Sequence, residues 1–234
     1  MMKNGLCIIP ARAGSKRFPG KNLATLGGRS LVQLALDSAV DSNLFRKIYL
    51  SSDDEAILAQ TEQYPDLVCA LRRDPKLAQD TTKALEVVCQ IVSDYPGDYD
   101  FVSLLLPTAP LRTSKHLLEG MALLERHPEA DGVVSLTTYE FPPQLSVTLE
   151  SGAISPVFDP CPLITGNTRS QDQEIIYRPN GAFYFHRFPA FEKHQNFWKG
   201  RVLGYVMDRL ESVDIDNPFD LAYAEFLLKR VINQ

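Results

Sequence analysis

At 234 residues the chain is long enough to bury a substantial core and falls within the range of one large α/β domain. Its 44% hydrophobic and 23% charged residues match ordinary globular sequences and exclude a long disordered or low-complexity tract. A formal net charge of −5 excludes a broad nonspecific nucleic-acid surface, which needs clustered Lys and Arg, so any anionic partner must be held locally.

The chain opens on Leu6-Cys7-Ile8-Ile9-Pro10, a short continuous apolar run bounded by turn formers, as expected of a strand covered on both faces. The run is too short for a secretory signal, and no apolar stretch approaches about 20 residues, so no membrane span is expected and the cytoplasm is the expected compartment. A glycine- and cation-rich loop follows, Ala11 to Asn22. Ser30 is placed to cap a helix carrying Leu31, Leu34, Ala35 and Ala39 at helical spacing, and Lys47-Ile48-Tyr49-Leu50 reads as the next strand. Asp53 or Asp54 then starts a helix to about Tyr64, Leu67–Leu71 reads as a strand, Thr81 caps a helix to Tyr95, and Phe101–Leu106 is strand again. Ser114 begins a helix to His127, and Gly132–Leu136 is a further strand.

Strands alternating with helices of ten or more residues require crossover connections, so a three-layer α/β/α, Rossmann-like fold with a mostly parallel sheet is expected. From Tyr139 to about Thr168 the rhythm breaks into Pro142, Pro143, Pro156, Pro160 and Pro162 around short alternating pieces such as Leu145-Ser146-Val147-Thr148-Leu149. This span reads as a β excursion from one domain covering residues 1–234. The parallel layout is expected to resume with Gly181–Phe185 and Val202–Val206, and to close on a helix from Pro218 to about Val231. Cys7, Cys69, Cys89 and Cys161 lie far apart with no CxxC pair, which suits reduced thiols rather than a zinc site.

The loop Pro10–Asn22 sits at the carboxyl end of the first strand, where open α/β sheets bind ligands. Arg12, Lys16, Arg17 and Lys21 are interleaved with Gly14 and Gly20, and this composition suits a triphosphate: backbone N–H groups cradle oxygens while Arg and Lys neutralise charge. Neither GxxxxGK[ST] nor GxGxxG is present. Near the other end, Asp214 and Asp216 alternate along an extended segment, so both carboxylates can point the same way off a strand end, as oxygen ligands of Mg²⁺ must. The same segment also serves as a helix start, with Asn217 as cap and Pro218 in the first helical position.

In this loop the sequence resembles the CMP-sialic acid synthetase (acylneuraminate cytidylyltransferase) family, whose hallmark Ala-Arg-x-x-Ser-Lys-x-x-x-x-Lys-Asn is matched from Ala11 through Asn22. Further matching blocks are Leu77–Thr81, Leu104–Arg112, Tyr177–Ala182 and Ser212–Asp216. The resemblance implies a nucleotide-diphospho-sugar transferase type of fold and transfer of CMP from CTP to an acidic nine-carbon sugar, with Mg²⁺ as cofactor. It implies that Arg12, Ser15, Lys16 and Lys21 contact the CTP phosphates, that Asn22 helps hold the nucleotide, and that Arg73, Gln79 and Asp80 line its pyrimidine pocket. Asp80 and Thr81 also read as competing helix caps.

On the acceptor side the resemblance implies that Arg169 meets the sugar or its carboxylate and that Asn180 supports sugar binding, with Arg178 beside them; an Arg fork suits a carboxylate because it bonds both oxygens. For Arg178 a structural ion pair is an equal reading. The family usually carries Gln where this chain has Leu106, a position near the acceptor. Leucine forms no hydrogen bond there, so the expected acceptors are N-acetylneuraminate or a relative that differs from it, for instance the deoxygenated legionaminate or pseudaminate.

The implied chemistry is attack by the sugar's anomeric hydroxyl on the α-phosphorus of CTP, with Arg12, Lys16 and Lys21 stabilising pyrophosphate and Asp214 and Asp216 holding the metal. Two alternatives remain beside it: a 3-deoxy-manno-octulosonate cytidylyltransferase, whose loop pattern Arg17, Pro19, Gly20 and Lys21 partly satisfy, and a noncatalytic nucleotide-binding domain of the same fold. His116 and His127 read as surface-helix residues, and Trp198 with Phe188, Phe191 and Phe197 as packing or subunit contacts. A homodimer built through the Tyr139–Thr168 excursion is expected.

Overall fold

The computed structural model describes residues 2–79 and 81–232, the side chains of residues 231 and 232 excepted. Strand β1 (Gly5–Pro10) is enclosed from Leu6 to Ile9, and the basic loop leads from it through a 3-10 turn at Lys21–Leu23 into a ribbon of β2 (Thr25–Leu26) and β3 (Arg29–Ser30). Ser30 caps helix α1 (Leu31–Ser42) by accepting from the Gln33 N–H, while the Gln33 side chain accepts from the Ser30 N–H. This reciprocal pair satisfies two donors that a helix start leaves without partners.

Strand β4 (Phe45–Ser52) precedes α2 (Glu55–Leu58), which Asp54 caps by accepting from Ala56 and Ile57. The helix expected to reach Tyr64 stops after one α-turn and tightens into a 3-10 turn, Ala59–Gln63. Here the Thr61 hydroxyl donates back to the Leu58 carbonyl, a local bond that competes with the helical ladder. After β5 (Val68–Arg72), α3 (Ala84–Asp94) starts at Lys83 and not at Thr81, because Lys83 is still extended, with φ −81° and ψ 147°.

Strand β6 (Phe101–Leu104) ends before the Leu105–Arg112 turn, two residues earlier than the sequence suggested. In α4 (Ser114–Arg126), capped by Thr113, His116 is not a surface residue. It is buried, its Nδ1 takes the Thr113 N–H at 3.1 Å and its Nε2 faces Glu211 at 3.3 Å. Strand β7 (Gly132–Thr138) leads to an exposed hairpin of β8 (Val147–Glu150) and β9 (Ala153–Pro156), and then to the short α5 (Pro162–Thr165). Strand β10 (Tyr177–Arg187), α6 (Phe188–His194), β11 (Val202–Val206) and α7 (Pro218–Ile232) complete the chain order.

Among the described residues the main sheet has seven strands in the order β11-β7-β10-β6-β1-β4-β5, and β8 pairs only with β9. Strands β1, β4, β5 and β6 are mutually parallel and β11 is parallel to β7, but β10 runs antiparallel to both β6 and β7. The expected parallel setting of Gly181–Phe185 is therefore corrected. The excursion leaves β7 at its carboxyl end and returns to the same end without a crossover helix, so the next strand must run the opposite way.

Apolar clusters cover both sheet faces, one including Val32, Leu36, Leu117 and Met121 of α1 and α4, the other Val88 and Ile91 of α3 with Phe188 and Phe191 of α6. Phe188, Phe191 and Phe197 are core residues, as the packing reading held, while Trp198 is half exposed with its edge against Tyr184. A third cluster joins Leu26 and Leu31 to Val213, Ile215, Ala224 and Leu227 beneath α7. All four cysteines are free thiols.

Gly120 marks where α4 meets the sheet, since a Cβ there would lie 2.3 Å from Phe183 Cζ. Glycine to alanine in a helix interior normally stabilises by about 1 kcal/mol, but overpacking a core costs about 1–3 kcal/mol and often more against a rigid ring. Gly120→Ala is therefore expected to lower the urea midpoint at unchanged slope, and a raised midpoint would contradict this packing.

Candidate active site at the carboxyl edge of the sheet

The loop after β1 is fastened at both ends. The Ala13 N–H donates to an Asp53 carboxylate oxygen at 2.9 Å, and the buried Asn22 amide donates to the Arg12 carbonyl at 2.8 Å. Asp53 therefore orders the loop, while its neighbour Asp54 caps α2. Arg12 reaches across the edge and donates to the Gln79 carbonyl at 3.3 Å. Ser15 is half-buried and Lys16 exposed on the same loop. Lys21, with 12% of its side chain accessible, donates to Asp216 at 3.1 Å, and Arg17 pairs with the other Asp216 oxygen at 2.9 Å.

Arg73 is buried beside this loop, donating to the Ser51 hydroxyl at 3.2 Å and the Ser51 carbonyl at 2.7 Å. Burial holds its guanidinium below the ordinary arginine range, the Asp53 charge opposes this and Arg12 adds to it. Arg73 also lines a cavity of about 330 Å³ with Leu77, Val87 and Ile91. Gln79 is exposed next to Arg12, and Asp80 lies outside the described residues.

The Ser212–Asp216 segment is extended but is not a strand, contrary to the expectation that the two acids leave a strand end. The alternation itself holds. Val213 and Ile215 are buried in the cluster beneath α7, so Asp214 and Asp216 face outward between them. The Ile215 N–H donates to the Thr108 carbonyl at 2.8 Å, tying the segment to the loop after β6. Asn217 caps α7 by accepting from Phe219 and Asp220 N–H groups, while the Asp220 carboxylate accepts from Asp216 and Asn217 N–H groups at 2.8 and 2.9 Å.

Asp214 is exposed on the cleft wall, yet the protein packed around its carboxyl desolvates it and raises it above the usual range. A hydrogen bond from Thr108 opposes the rise, the Asp216 charge reinforces it, and Lys21 and Arg178 oppose it. Arg178 and Asp214 share a cleft of about 510 Å³ with Glu140, Arg209, Phe219 and Tyr223 among its walls.

Asn180 is buried, donating to the Ser212 hydroxyl at 2.9 Å and accepting from the Ala182 N–H at 3.2 Å. It stands beneath the Asp214 segment and not in open space. Leu106 is half-buried, and its Cδ1 would stand 3.2 Å from a Cβ at Gly181, whose φ of +74° suits glycine. Arg169 is exposed on the excursion and is not a wall of the Asp214 cleft, so one chain does not bring it to the other candidates.

Sequence reasoning missed Arg112, whose buried guanidinium donates to the Leu106 carbonyl at 3.1 Å, the Ala182 carbonyl at 2.7 Å and the Ser38 hydroxyl at 3.0 Å. Burial lowers it to about 10, with the Cys7 thiol opposing the fall. It locks the β6 and β10 turns on which Leu106 and Asn180 sit. Asp53 and Thr108 were also missed. Their places after β4 and β6, at the ligand-binding edge, were the available signal.

A parallel sheet that gathers cations and paired acids at its carboxyl edge is the Rossmann-like architecture of nucleotidyltransferases. A solved CMP:2-keto-3-deoxy-manno-octonic acid synthetase complexed with CTP matches it with a TM-score of 0.69 at 14% identity, covering 97% of this chain and 99% of that one. Residues 6–227 match the family model described as Cytidylyltransferase, and the chain belongs to that family. It is 33% identical over 222 residues to N-acylneuraminate cytidylyltransferase of Streptococcus agalactiae, covering 93% of this chain and 52% of the relative. It is also 33% identical to pseudaminic acid cytidylyltransferase of Campylobacter jejuni, covering 97% of each. The chain thus spans about half the length of the first of these relatives and nearly all of the second.

The raised Asp214 carboxyl has a consequence for stability. An acid whose folded pKa lies above its unfolded one favours folding fully below the unfolded pKa, and that contribution is lost as pH rises through the folded pKa. Asp214→Asn removes the ionised form while keeping an oxygen for Thr108. Its Tm relative to the native chain is expected to be higher at pH 7 than at pH 3, and an equal difference at both would show that Asp214 is not desolvated.

Proposed function

We propose that this chain transfers CMP from CTP to the anomeric hydroxyl of an N-acylated nine-carbon sugar acid of the sialic type, releasing pyrophosphate. The observation that carries the reading is the pairing of Lys21 and Arg17, on the loop that also carries Arg12 and Lys16, with Asp216 of the acid pair, in a chain of the cytidylyltransferase family. In such a transfer the sugar oxygen forms a bond to the α-phosphorus while the bond to the bridging oxygen breaks. The electron pair leaves with pyrophosphate, and the hydroxyl proton passes to a nearby base or water. Arg12, Ser15, Lys16 and Lys21 receive the leaving phosphates; Asn22 and Asp53 hold the loop in shape for them. Arg73 and Gln79 form the pyrimidine side, and Arg178, which lines the Asp214 cleft, meets the acceptor's carboxylate. Asn180 serves the acceptor side through Ser212, to which it is bonded.

Asp214 and Asp216 suit Mg²⁺. Two carboxylates share one outward face, and the Asp216 charge raises the cost of ionising Asp214; Mg²⁺ characteristically takes one or two carboxylates and completes its shell with water and substrate phosphate. When bound, the ion supplies charge neutralisation at the phosphate oxygens.

The relatives' names favour a nine-carbon acid over 3-deoxy-manno-octulosonate, because the octulosonate neighbour shares only the fold at 14% identity. Leu106, with no hydrogen bond to give, favours pseudaminate or legionaminate over N-acetylneuraminate. The cation and acid sets are both complete, which favours turnover over mere nucleotide binding. The chain is assigned to the cytoplasm as a homodimer. The excursion exposes Phe141, Leu149, Ile154, Ile164 and Ile175 at 62–76% of their surface, more apolar area than a free hairpin leaves in water without a partner.

Three tests follow. Pyrophosphate release, measured with each common nucleoside triphosphate and each acid with and without Mg²⁺, is expected only with CTP, Mg²⁺ and one nonulosonate; no release with any pair overturns the reading. Lys21→Ala is expected to lower kcat by about 10²–10³, the usual loss for a preorganised charge-stabilising donor. Sedimentation should give a dimer at micromolar concentration and a monomer for Ile154→Asp; a native monomer removes the dimer.

A further inference from the structure

The cleft beside Asp214 is chemically lopsided. Its polar side carries Arg178, with Arg209 held 3.9 Å from Glu140. Its other side is helix α7, which presents Phe219 and Tyr223 four residues apart, and so on one face. Phe219 is 79% exposed and Tyr223 42% exposed. The same stripe continues to Phe226, but there the Arg230 guanidinium lies 5.2 Å over the ring. Phe219 and Tyr223 have no ring or cation contact among the described residues.

The backbone that carries Phe219 is fixed at the helix start. Phe219 donates its N–H to the Asn217 cap, and Asp220 holds the N–H groups of Asp216 and Asn217. The start of α7 is thus fastened to the Asp216 backbone through the Asp220 carboxylate. Two rings side by side in water at the mouth of a charged cleft suit an occupant that brings apolar area to them.

We propose that Phe219 and Tyr223 are specificity-determining residues that form the apolar half of the acceptor subsite. They select sugar acids carrying N-acyl or deoxy methyl groups over fully hydroxylated ones. This rests on the cytidylyltransferase reading. The occupant fits by charge as well as by shape: Arg178 faces the acid's carboxylate, Asp214 lies by the reacting hydroxyl, and methyl groups pack on the rings across the cleft. A fully hydroxylated acid buries hydroxyls against those rings without hydrogen bonds, and pays the desolvation penalty for each.

The test compares the full-length native chain with Phe219→Ala, Tyr223→Ala and Phe219→Leu. Pyrophosphate release is measured with CTP and either an N-acylated nine-carbon acid or its analogue bearing hydroxyls in place of the acylamino groups. The ratio of kcat/KM values for the two acids is expected to fall about tenfold or more in both alanine variants, the scale of selectivity that one or two apolar groups confer. KM for CTP should stay as in the native chain, and Phe219→Leu should recover part of the ratio. Saturation-transfer NMR should show the acyl methyl receiving magnetisation from the native protein and losing it in Phe219→Ala. An unchanged ratio in a native-like, CTP-saturable variant overturns this inference and leaves the cytidylyltransferase reading intact. No pyrophosphate release by the native chain with any acid overturns both.

Discussion

The Asp216 carboxylate is the junction on which the site depends. Its two oxygens receive Lys21 and Arg17 from the loop after the first strand, while its own N–H is held by Asp220 at the start of the last helix. Residues almost two hundred positions apart in sequence are thereby closed into one rim. An exposed ion pair contributes little stability, typically about 0–1 kcal/mol, so the contact matters for position. Lys21 is largely sheltered, and a sheltered cation beside a carboxylate keeps its place without reorganising when a polyanion arrives. Arg17, with 73% of its side chain accessible, has no such shelter and is free to exchange partners.

What holds the rim is apolar. Val213 and Ile215 enter the cluster under α7 with Leu26, Leu31 and Leu227, and a two-residue period turns the acids between them to the surface. The buried Arg112 does the corresponding work for the neighbouring turns. Among the described residues it has no carboxylate partner; two carbonyls and a hydroxyl receive its guanidinium, and burial brings its pKa down to about 10. Removing it would take a donor from the buried Ala182 carbonyl and from the Leu106 carbonyl, loosening the turns that frame the site.

The strands and long helices were legible because their signals are local. The Ser30 cap, the apolar runs of β1 and β4, and the Asn217-Pro218 helix start each follow from a few adjacent residues. The direction of β10 was not legible, since strand composition is the same in either sense and only the return path of the excursion decides it. Thr81 misled for a related reason: a good capping residue does not cap when the chain is still extended two residues later. Within the site, the loop cations, Arg73 and the acid pair could be named from sequence. The restraints that aim them, Asp53 on Ala13, Thr108 on Asp214 and Asn180 on Ser212, are long-range contacts that sequence spacing does not encode.

Asn180 illustrates how a buried motif residue can position a carboxylate that it does not touch. The register of β10 shifts between Pro179 and Tyr184, and the left-handed Gly181 within that shift lets the Asn180 side chain turn inward. There its amide donates to Ser212, whose hydroxyl donates in turn to the Asp208 carbonyl at 2.7 Å. Asp208 and Ser212 bracket the turn that delivers Asp214. The bulge in one strand therefore fixes where a carboxylate on another segment stands, and Leu106, packed against Gly181, is coupled to the same bulge. A substitution at position 106 then acts on the Asp214 cleft through the backbone it presses on.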